Sequence, residues 1–198
     1  YDENGNISEK SVEYEDYEGV FSYDIDEEFD MQNRIVGYGY GSVNQIRNTY
    51  DENSQLIRVN NSLTPSYTST YSYDSRGNVT QKNTYKYSNK NRLLERNLLS
   101  TKTLTYAQSG WTDKLVSVDN DALTYDANGN VLTFGNRSFT WSSGRNLASI
   151  TEGTDSYSYT YDENGIRTSK TVNGVTTYYN TRDGVIRSQT DGTNTMDD

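Results

Sequence analysis

The sequence predicts an all-β fold, antiparallel β-hairpin repeats joined into a long, strongly curled sheet. Three observations carry this. The motif Tyr-Asp-x-x-Gly-Asn recurs along the 198 residues, at Tyr1 (YDENGN), Tyr73 (YDSRGN) and Tyr125 (YDANGN), with variants at Tyr50 (YDENSQ) and Tyr161 (YDENGI). Around the copies aromatic and hydroxyl residues alternate with a period of two, the pattern of a strand with unlike faces. Only 31% of residues are hydrophobic and mean hydropathy is −0.96, yet there are 19 tyrosines, 4 phenylalanines, 2 tryptophans and a single proline. The core is therefore expected to be aromatic rather than aliphatic, in short strands separated by tight turns.

Taken in order, Tyr1 opens the first copy, and Ser11–Asn33 follows with nine acids and no lysine or arginine: Glu13, Glu15, Asp16, Glu18, Asp24, Asp26, Glu27, Glu28 and Asp30. That segment carries nine of the ten net negative charges and reads as a solvated surface. Weaker copies fill the intervals: Tyr40 begins YGSVNQI, Tyr87 begins YSNKNRLLE, Tyr106 begins YAQSGWTDKL, and Trp141 begins WSSGRNL, with Trp in the aromatic place. From Tyr87 the spacing runs 19, 19, 16 and 20 residues, one hairpin per repeat. Leu93–Leu104 is expected as strand or irregular chain, since its leucines fit a helix no better than a strand. At one strand per 8–12 residues the chain forms roughly 16–24 strands, and sheets wider than about 10 strands curl or split.

Tyr157–Tyr179 is the clearest unit. Tyr157, Tyr159 and Tyr161 alternate with Ser158 and Thr160, Asp162–Gly165 supplies a turn, and Asn173-Gly174 between Val172 and Val175 is a two-residue type I′ hairpin loop. Pairing Val172 with Val175 and Tyr161 with Ile166 puts Tyr157, Tyr159, Tyr161, Ile166, Thr168, Val172, Val175, Thr177 and Tyr179 on one face. Ser158, Thr160, Arg167, Ser169, Thr171 and Thr176 lie opposite, with Lys170 and Tyr178 as exceptions. One face is then built to be covered and the other wet. The same register places Ile57 and Val59 with Tyr50, and Leu123, Leu132 and Phe134 with Tyr125. After Tyr73 it fails, because Val79 falls on the wrong side, so a bulge or a different loop length is expected there.

Several functions are excluded or disfavoured. There is no cysteine, hence no disulfide or thiolate metal site. There is no histidine, which removes the commonest general base, the Ser-His-Asp arrangement and histidine metal sites. No coherent catalytic constellation remains, and the chain is expected to be no enzyme and to take no cofactor or metal. The Asp-x-Asn-Gly loops lack the spaced oxygens of a calcium loop and read as turn chemistry. Outside the acidic segment the chain is nearly neutral, so nucleic acid, whose binding needs a basic stripe, is not expected as a partner, and no apolar run spans a membrane. Starting at Tyr1 without a signal-peptide pattern, the sequence is expected to be a fragment or a processed piece.

Five YDxxGN copies, the period of roughly 20 residues and the W-x-x-G-R-x-L variant resemble the YD or RHS repeats of bacterial Rhs, wall-associated and toxin-complex proteins and of teneurins. The resemblance covers essentially the whole chain. It implies an RHS-type β-shell, a sheet ribbon spiralling around a C-terminal toxin, or in other relatives an extracellular barrel, and hence secretion or display on a bacterial cell surface. The family's Asp-Pro-x-Gly-type core motif and aspartyl self-cleavage site have no match, because Pro65 is the only proline.

The reading that results is residues 1–198 as a single repeat array, part of a larger repeat protein, enclosing or presenting a polypeptide toxin or effector without catalysis. Its partners are the rest of its own shell and the enclosed C-terminal polypeptide, with head-to-tail self-association through uncapped edges. A second reading stays open, an adhesin-like module whose stacked aromatic faces take glycans or a cell-surface protein. The residues expected to matter are structural members of the motif: Tyr1, Asp2, Gly5 and Asn6; Tyr50 and Asp51; Tyr73, Asp74, Gly77 and Asn78; Tyr125, Asp126, Gly129 and Asn130; Trp141, Gly144 and Arg145; Tyr161, Asp162 and Gly165; and Asn173 with Gly174.

Overall fold

The computed structural model describes residues 1–16, 19–41, 43–182, 184–192 and 195–197, and the side chains of all of these except 14–16, 19, 21, 43, 44 and 195–197. Glu18 of the acidic segment, Ser42 of the Tyr40 copy and Asp198 thus lie outside the described residues, as do the side chains of Glu15 and Asp16. The described chain is all-β, with eighteen strands and one three-residue 3-10 turn.

It forms two compact units, Tyr1–Leu104 and Thr105–Asp198. The first contains β1 (Glu9–Asp16), β2 (Gly19–Phe29), β3 (Ile35–Tyr40), β4 (Val43–Tyr50), β5 (Leu56–Asn61), β6 (Tyr67–Tyr73), β7 (Val79–Lys86) and most of β8 (Leu98–Tyr106). The 3-10 turn, Glu95–Asn97, leads into β8, so Leu93–Leu104 is irregular chain followed by strand. Each strand from β1 to β8 pairs antiparallel with the next.

The second unit contains β9 (Leu115–Val118), β10 (Asp121–Tyr125), β11 (Val131–Phe134), β12 (Arg137–Ser142), β13 (Asn146–Glu152), β14 (Asp155–Tyr161), β15 (Arg167–Val172), β16 (Val175–Arg182), β17 (Val185–Thr190) and β18 (Thr195–Asp197). These also pair antiparallel in sequence order. Two consecutive strands joined by a tight loop need little closure entropy, which is why the meander follows the chain.

Register brings a correction. Val172 pairs with Val175 across Asn173-Gly174 as expected, but Tyr161 pairs with Arg167, not Ile166, and Thr160 with Ser169. One extra residue, Thr168, is accommodated there, and the Thr160 hydroxyl meets both Thr168 and Ser169, at 2.8 and 2.7 Å. Thr168 therefore leaves the tyrosine face and Arg167 joins it, its guanidinium carbon 4.5 Å from the Tyr159 ring centre. The shift is general. Tyr50 pairs with Leu56 and Thr49 with Arg58, Tyr73 with Val79 and Ser72 with Gln81, Tyr125 with Val131 and Thr124 with Thr133. Ile57 and Leu132 are thus the extra residues and not the partners of the rings. The bulge expected after Tyr73 alone follows every one of these copies, because a loop closed six residues after the ring leaves the return strand one residue out of phase.

On β14 the tyrosine face is the less exposed one, half-buried where Ser158 and Thr160 are exposed, as two unlike faces require. No described hydrophobic side chain is buried; the buried described residues are Gly37, Gly39, Thr68, Ser69 and Ser169. Each unit is a single meander, and one sheet layer shields rings only by cross-strand neighbours. In the second unit Phe139, Ile150, Tyr157, Val172 and Val175 line up across five strands on one face. On the other face Thr140, Ser149, Ser158, Thr171 and Thr176 do the same. Their hydroxyls bond across strands, Thr140 to Ser149 at 2.6 Å and Thr171 to Thr176 at 2.8 Å.

Candidate functional site

The repeated feature is the six-residue loop after each aromatic, which we number from the ring as position 1. Tyr125–Asn130 shows its construction. The Asp126 N–H donates to the Asn130 carbonyl at 2.9 Å and the Gly129 N–H to the Asp126 carbonyl at 3.1 Å. Asp126 Oδ1 accepts from the N–H groups of Asn128 and Asn130, at 2.9 and 2.8 Å, and Oδ2 from Asn130 Nδ2 at 2.8 Å. Asp is suited to position 2 because its short carboxylate reaches N–H groups two and four residues ahead. Position 5 has φ of +83° at Gly129, a left-handed conformation that glycine adopts without strain.

The four backbone-N–H bonds recur in the loops opened by Tyr1, Tyr50, Tyr73 and Tyr161. They also occur in a copy the sequence reading missed, Phe29–Arg34. There Phe takes the ring's place, Asn33 takes positive φ at +59° and Arg34 stands at position 6. Its legible signal was an aromatic-Asp pair followed three residues later by Asn, a residue that tolerates the left-handed region. In Trp141–Asn146 serine replaces the aspartate and positive φ falls on Ser143 and Gly144, so Arg145 does not occupy a left-handed position.

Hydrogen bonding lowers the pKa of four of the loop carboxylates. The Asn130 side chain holds Asp126 below the usual carboxylate range, as Asn6 does Asp2 and the Arg34 side chain does Asp30. At Asp74 desolvation pushes upward, but bonds from Asn78 and Arg76 outweigh it and the carboxyl is again lowered. These oxygens are occupied by turn N–H groups, which leaves little for a cation. Among the described residues no cluster of three or more acids is arranged to hold a metal.

Consecutive copies are tied in two ways. The position-1 tip donates to a backbone carbonyl six residues after the preceding ring. The Tyr50 hydroxyl bonds Ile35 O at 3.0 Å, Tyr73 bonds Leu56 O at 2.7 Å, and Tyr161 bonds Leu147 O at 2.9 Å. Trp141 makes the same tie through Nε1, to Val131 O at 2.7 Å. Tyr is therefore used at position 1 for its ring and its donor together, and Trp substitutes because it has both. Burial raises the pKa of the Tyr73 and Tyr125 phenols, keeping them protonated as donors.

The second tie runs from position 6 into the next loop. Asn6 Nδ2 reaches Asn33 Oδ1 at 3.1 Å, and Asn130 Nδ2 reaches Gly144 O at 2.6 Å. Arg34 is ion-paired to Asp30 at 2.6 Å, donates to Ser54 Oγ at 3.2 Å, and lies 4.7 Å from the centre of the Tyr50 ring. At Ile166 the same position is apolar and borders Gly184 and Ile186.

Tyr40, expected to open a copy, opens no loop of this kind, since it ends β3 and pairs directly with Val43. Two further copies depart from the pattern. In the Tyr87 copy serine stands at position 2, and closure comes from Arg58 on β5. Its Nη2 donates to Ser88 O and Lys90 O, both at 2.8 Å, and Nη1 to Asn91 O at 3.2 Å. Burial of the guanidinium lowers its pKa. Nothing in the local sequence announces an arginine thirty residues away. In the Tyr106 copy Ala107 stands at position 2, and its N–H bonds Lys114 O at 2.9 Å. Asn173 also does more than turn the chain, since its Oδ1 accepts from the Ser156 N–H at 2.7 Å and Nδ2 donates to Asp155 at 3.0 Å.

Loops of one construction, tied ring to carbonyl and loop to loop, describe a repeat wall. A family model described as Teneurin YD-shell matches residues 1–178. The chain belongs to this family. It is similar to the tRNA nuclease WapA of Bacillus subtilis (strain 168), 32% identical over 143 residues that make up 71% of this chain and 5% of that protein. It is also similar to the tRNA(Glu)-specific nuclease WapA of Bacillus subtilis subsp. natto, 40% identical over 70 residues, 34% of this chain and 3% of that one. The chain thus spans about 5% of the first relative's length. Among solved structures, TcdB2-TccC3-Cdc42 aligns with TM-score 0.47 and 15% identity over 84% of this chain and 10% of the other. The Photorhabdus luminescens Tc holotoxin pore aligns with TM-score 0.41 and 18% identity over 89% and 9%. No helix among the described residues of this YD-shell chain is long and apolar enough to cross a membrane.

Proposed function

We propose that this YD-shell chain is a wall segment, without catalysis or cofactor, of a secreted or cell-surface bacterial shell that encloses or presents a polypeptide. Both units are then consecutive stretches of a single array, and the motif residues from Tyr1 to Gly174 act as structural members. The observation that carries the reading is the series of ring-to-carbonyl ties. In five cases, at Tyr50, Tyr73, Tyr125, Trp141 and Tyr161, the preceding copy supplies the carbonyl that receives the ring's donor, an arrangement that repeats along the chain as in repeat walls. The absence of histidine and cysteine from the sequence supports a non-catalytic role. The partners of such a segment are neighbouring repeats of its own shell and the enclosed chain.

Protease protection tests this in the intact protein that carries the segment. The polypeptide following the repeats is expected to survive protease that cleaves it rapidly when it is expressed alone. Combining Gly129→Val with Gly165→Val, at φ of +83° and +77°, is expected to open the wall and end the protection. Equal cleavage of the polypeptide inside the wild-type protein and alone would overturn the proposal.

A further inference from the structure

The Tyr106 loop is longer than the regular six-residue loops. In the regular copies the carbonyl that receives the next ring's donor lies six residues after the ring. Here the Tyr125 hydroxyl bonds Leu115 O at 2.7 Å, nine residues after Tyr106, so three residues are added. Loop insertions in repeat arrays concentrate on faces that bind. The enlarged loop is ordered by backbone bonds, Ala107 N–H to Lys114 O and Lys114 N–H to Trp111 O at 2.9 and 3.0 Å, with Gly110 at φ +70°. It holds Trp111 with 64% of its surface exposed, beside the Tyr125 loop. A Cβ at Gly129 would lie 3.9 Å from the indole, an ordinary contact, so the ring lies against that loop.

Between Trp111 and that loop lies an open depression of about 230 Å³, bordered by Lys114, Asp126, Asn128 and Gly129. This is below the range of about 300–1,000 Å³ usual for drug-sized ligands and suits one ring of a longer molecule. The polar groups around it divide clearly. Asp126 is occupied by its own turn, and the Tyr125 hydroxyl by Leu115 O. Lys114 Nζ lies 5.1 Å from the Tyr125 ring centre, and the exposed Asn128 side chain takes no part in the bonds that close the loop.

We propose that the enlarged Tyr106 loop is a sugar-binding subsite, in which the Trp111 indole stacks on the apolar face of one pyranose residue and Lys114 and Asn128 hydrogen-bond its hydroxyls. An indole offers a flat apolar platform, and an amide and an ammonium at its border supply the directional contacts that a sugar needs. A polysaccharide outside the protein is the ligand class, with one ring held and its neighbours in solvent. The subsite stands independently of the wall role, since its residues all belong to the second unit and its readout is binding.

The test is nuclear magnetic resonance on the ¹⁵N-labelled 198-residue chain, titrated with chitotetraose and with cellotetraose. Peaks of the Trp111 indole N–H and of the Asn128 and Gly129 amides are expected to move saturably with at least one of them, with Kd of about 1 mM or weaker for a single stacked ring. The Trp141 indole N–H, bonded to Val131 O, is expected to stay in place and reports that the chain is folded. Trp111→Ala is expected to abolish the movements of Asn128 and Gly129. Trp111→Phe, which keeps a flat ring, is expected to retain weaker binding, and Asn128→Ala to weaken it by about threefold or more. No saturable movement with either sugar, or movements that persist in Trp111→Ala, would overturn the proposal.

Discussion

A tyrosine at the first loop position supplies a ring to its own sheet face and a donor to the copy before it. Removing only the donor separates these contributions. Tyr161→Phe is expected to destabilise by about 1 kcal/mol in urea denaturation, since the Leu147 carbonyl loses its partner while the ring remains. Tyr159→Phe, whose ring lies under Arg167, is the control and is expected to change stability by less than half as much. Equal costs would show that the hydroxyl tie contributes nothing. The loop aspartates give a pH signature of definite sign. Asp2, Asp30, Asp74 and Asp126 all have folded-state pKa values lowered from 3.8. Their contribution is therefore complete above the unfolded value and lost as pH falls through the lower folded values. The Tm is expected to drop as pH falls below 3.8, and to drop less in Asp126→Asn. An identical acid profile for wild type and variant would remove Asp126 from this account.

At the scale of the element, turns set the register. Gly174 has φ of +87° and open space around the position of a Cβ, so substitution there costs conformational strain and no clash. Gly174→Val is expected to destabilise by more than about 1 kcal/mol, because a β-branched residue is poorly accommodated at positive φ. An unchanged melting midpoint would refute it. Arg58 is an element-scale clamp, since one side chain on β5 holds the carbonyls of Ser88, Lys90 and Asn91. Arg58→Met is expected to cost about 2 kcal/mol through several charge-assisted bonds lost together, and to speed proteolysis within 87–92. Cleavage elsewhere at the wild-type rate with 87–92 still resistant would show that the loop holds itself.

For the whole chain, the decisive fact is that no described hydrophobic side chain is buried. Hydrophobic burial is the main favourable term in folding, so each unit, a single meander, depends on strand pairing and on covering contacts from outside itself. The isolated 198-residue chain is therefore expected to self-associate, strand edge to strand edge, as uncovered edges template pairing. The β1–β2 hairpin adds charge, with Glu9 opposite Asp26 and Asp24 bonded by Ser11 at 2.6 Å on one face. The basic stretch from Lys82 to Lys102 supplies a complement that salt screens. Light scattering at micromolar protein is expected to show growth with concentration that weakens with salt. A monomer under all these conditions would refute edge pairing.

The loops and the strand content were legible because their causes are local. An aspartate that reaches two and four residues ahead, and a glycine that takes positive φ at position 5, fold their turns whatever surrounds them. Asn173-Gly174 likewise closed the hairpin that its two residues announce. The Phe29 copy was readable by the same chemistry once Asn is admitted in glycine's place. The bulge after each loop was not, because it depends on how the return strand pairs and not on residue type. A one-residue shift of register is enough to move Arg167 from the polar face to the tyrosine face. Nor could the sequence assign the carbonyl that receives each ring's donor, or the arginine that closes the Tyr87 loop, since those partners lie 10 to 33 residues away. Short-range hydrogen bonding was determined by the sequence itself, whereas contacts across strands, which involve residues far apart in the chain, were decided by tertiary pairing.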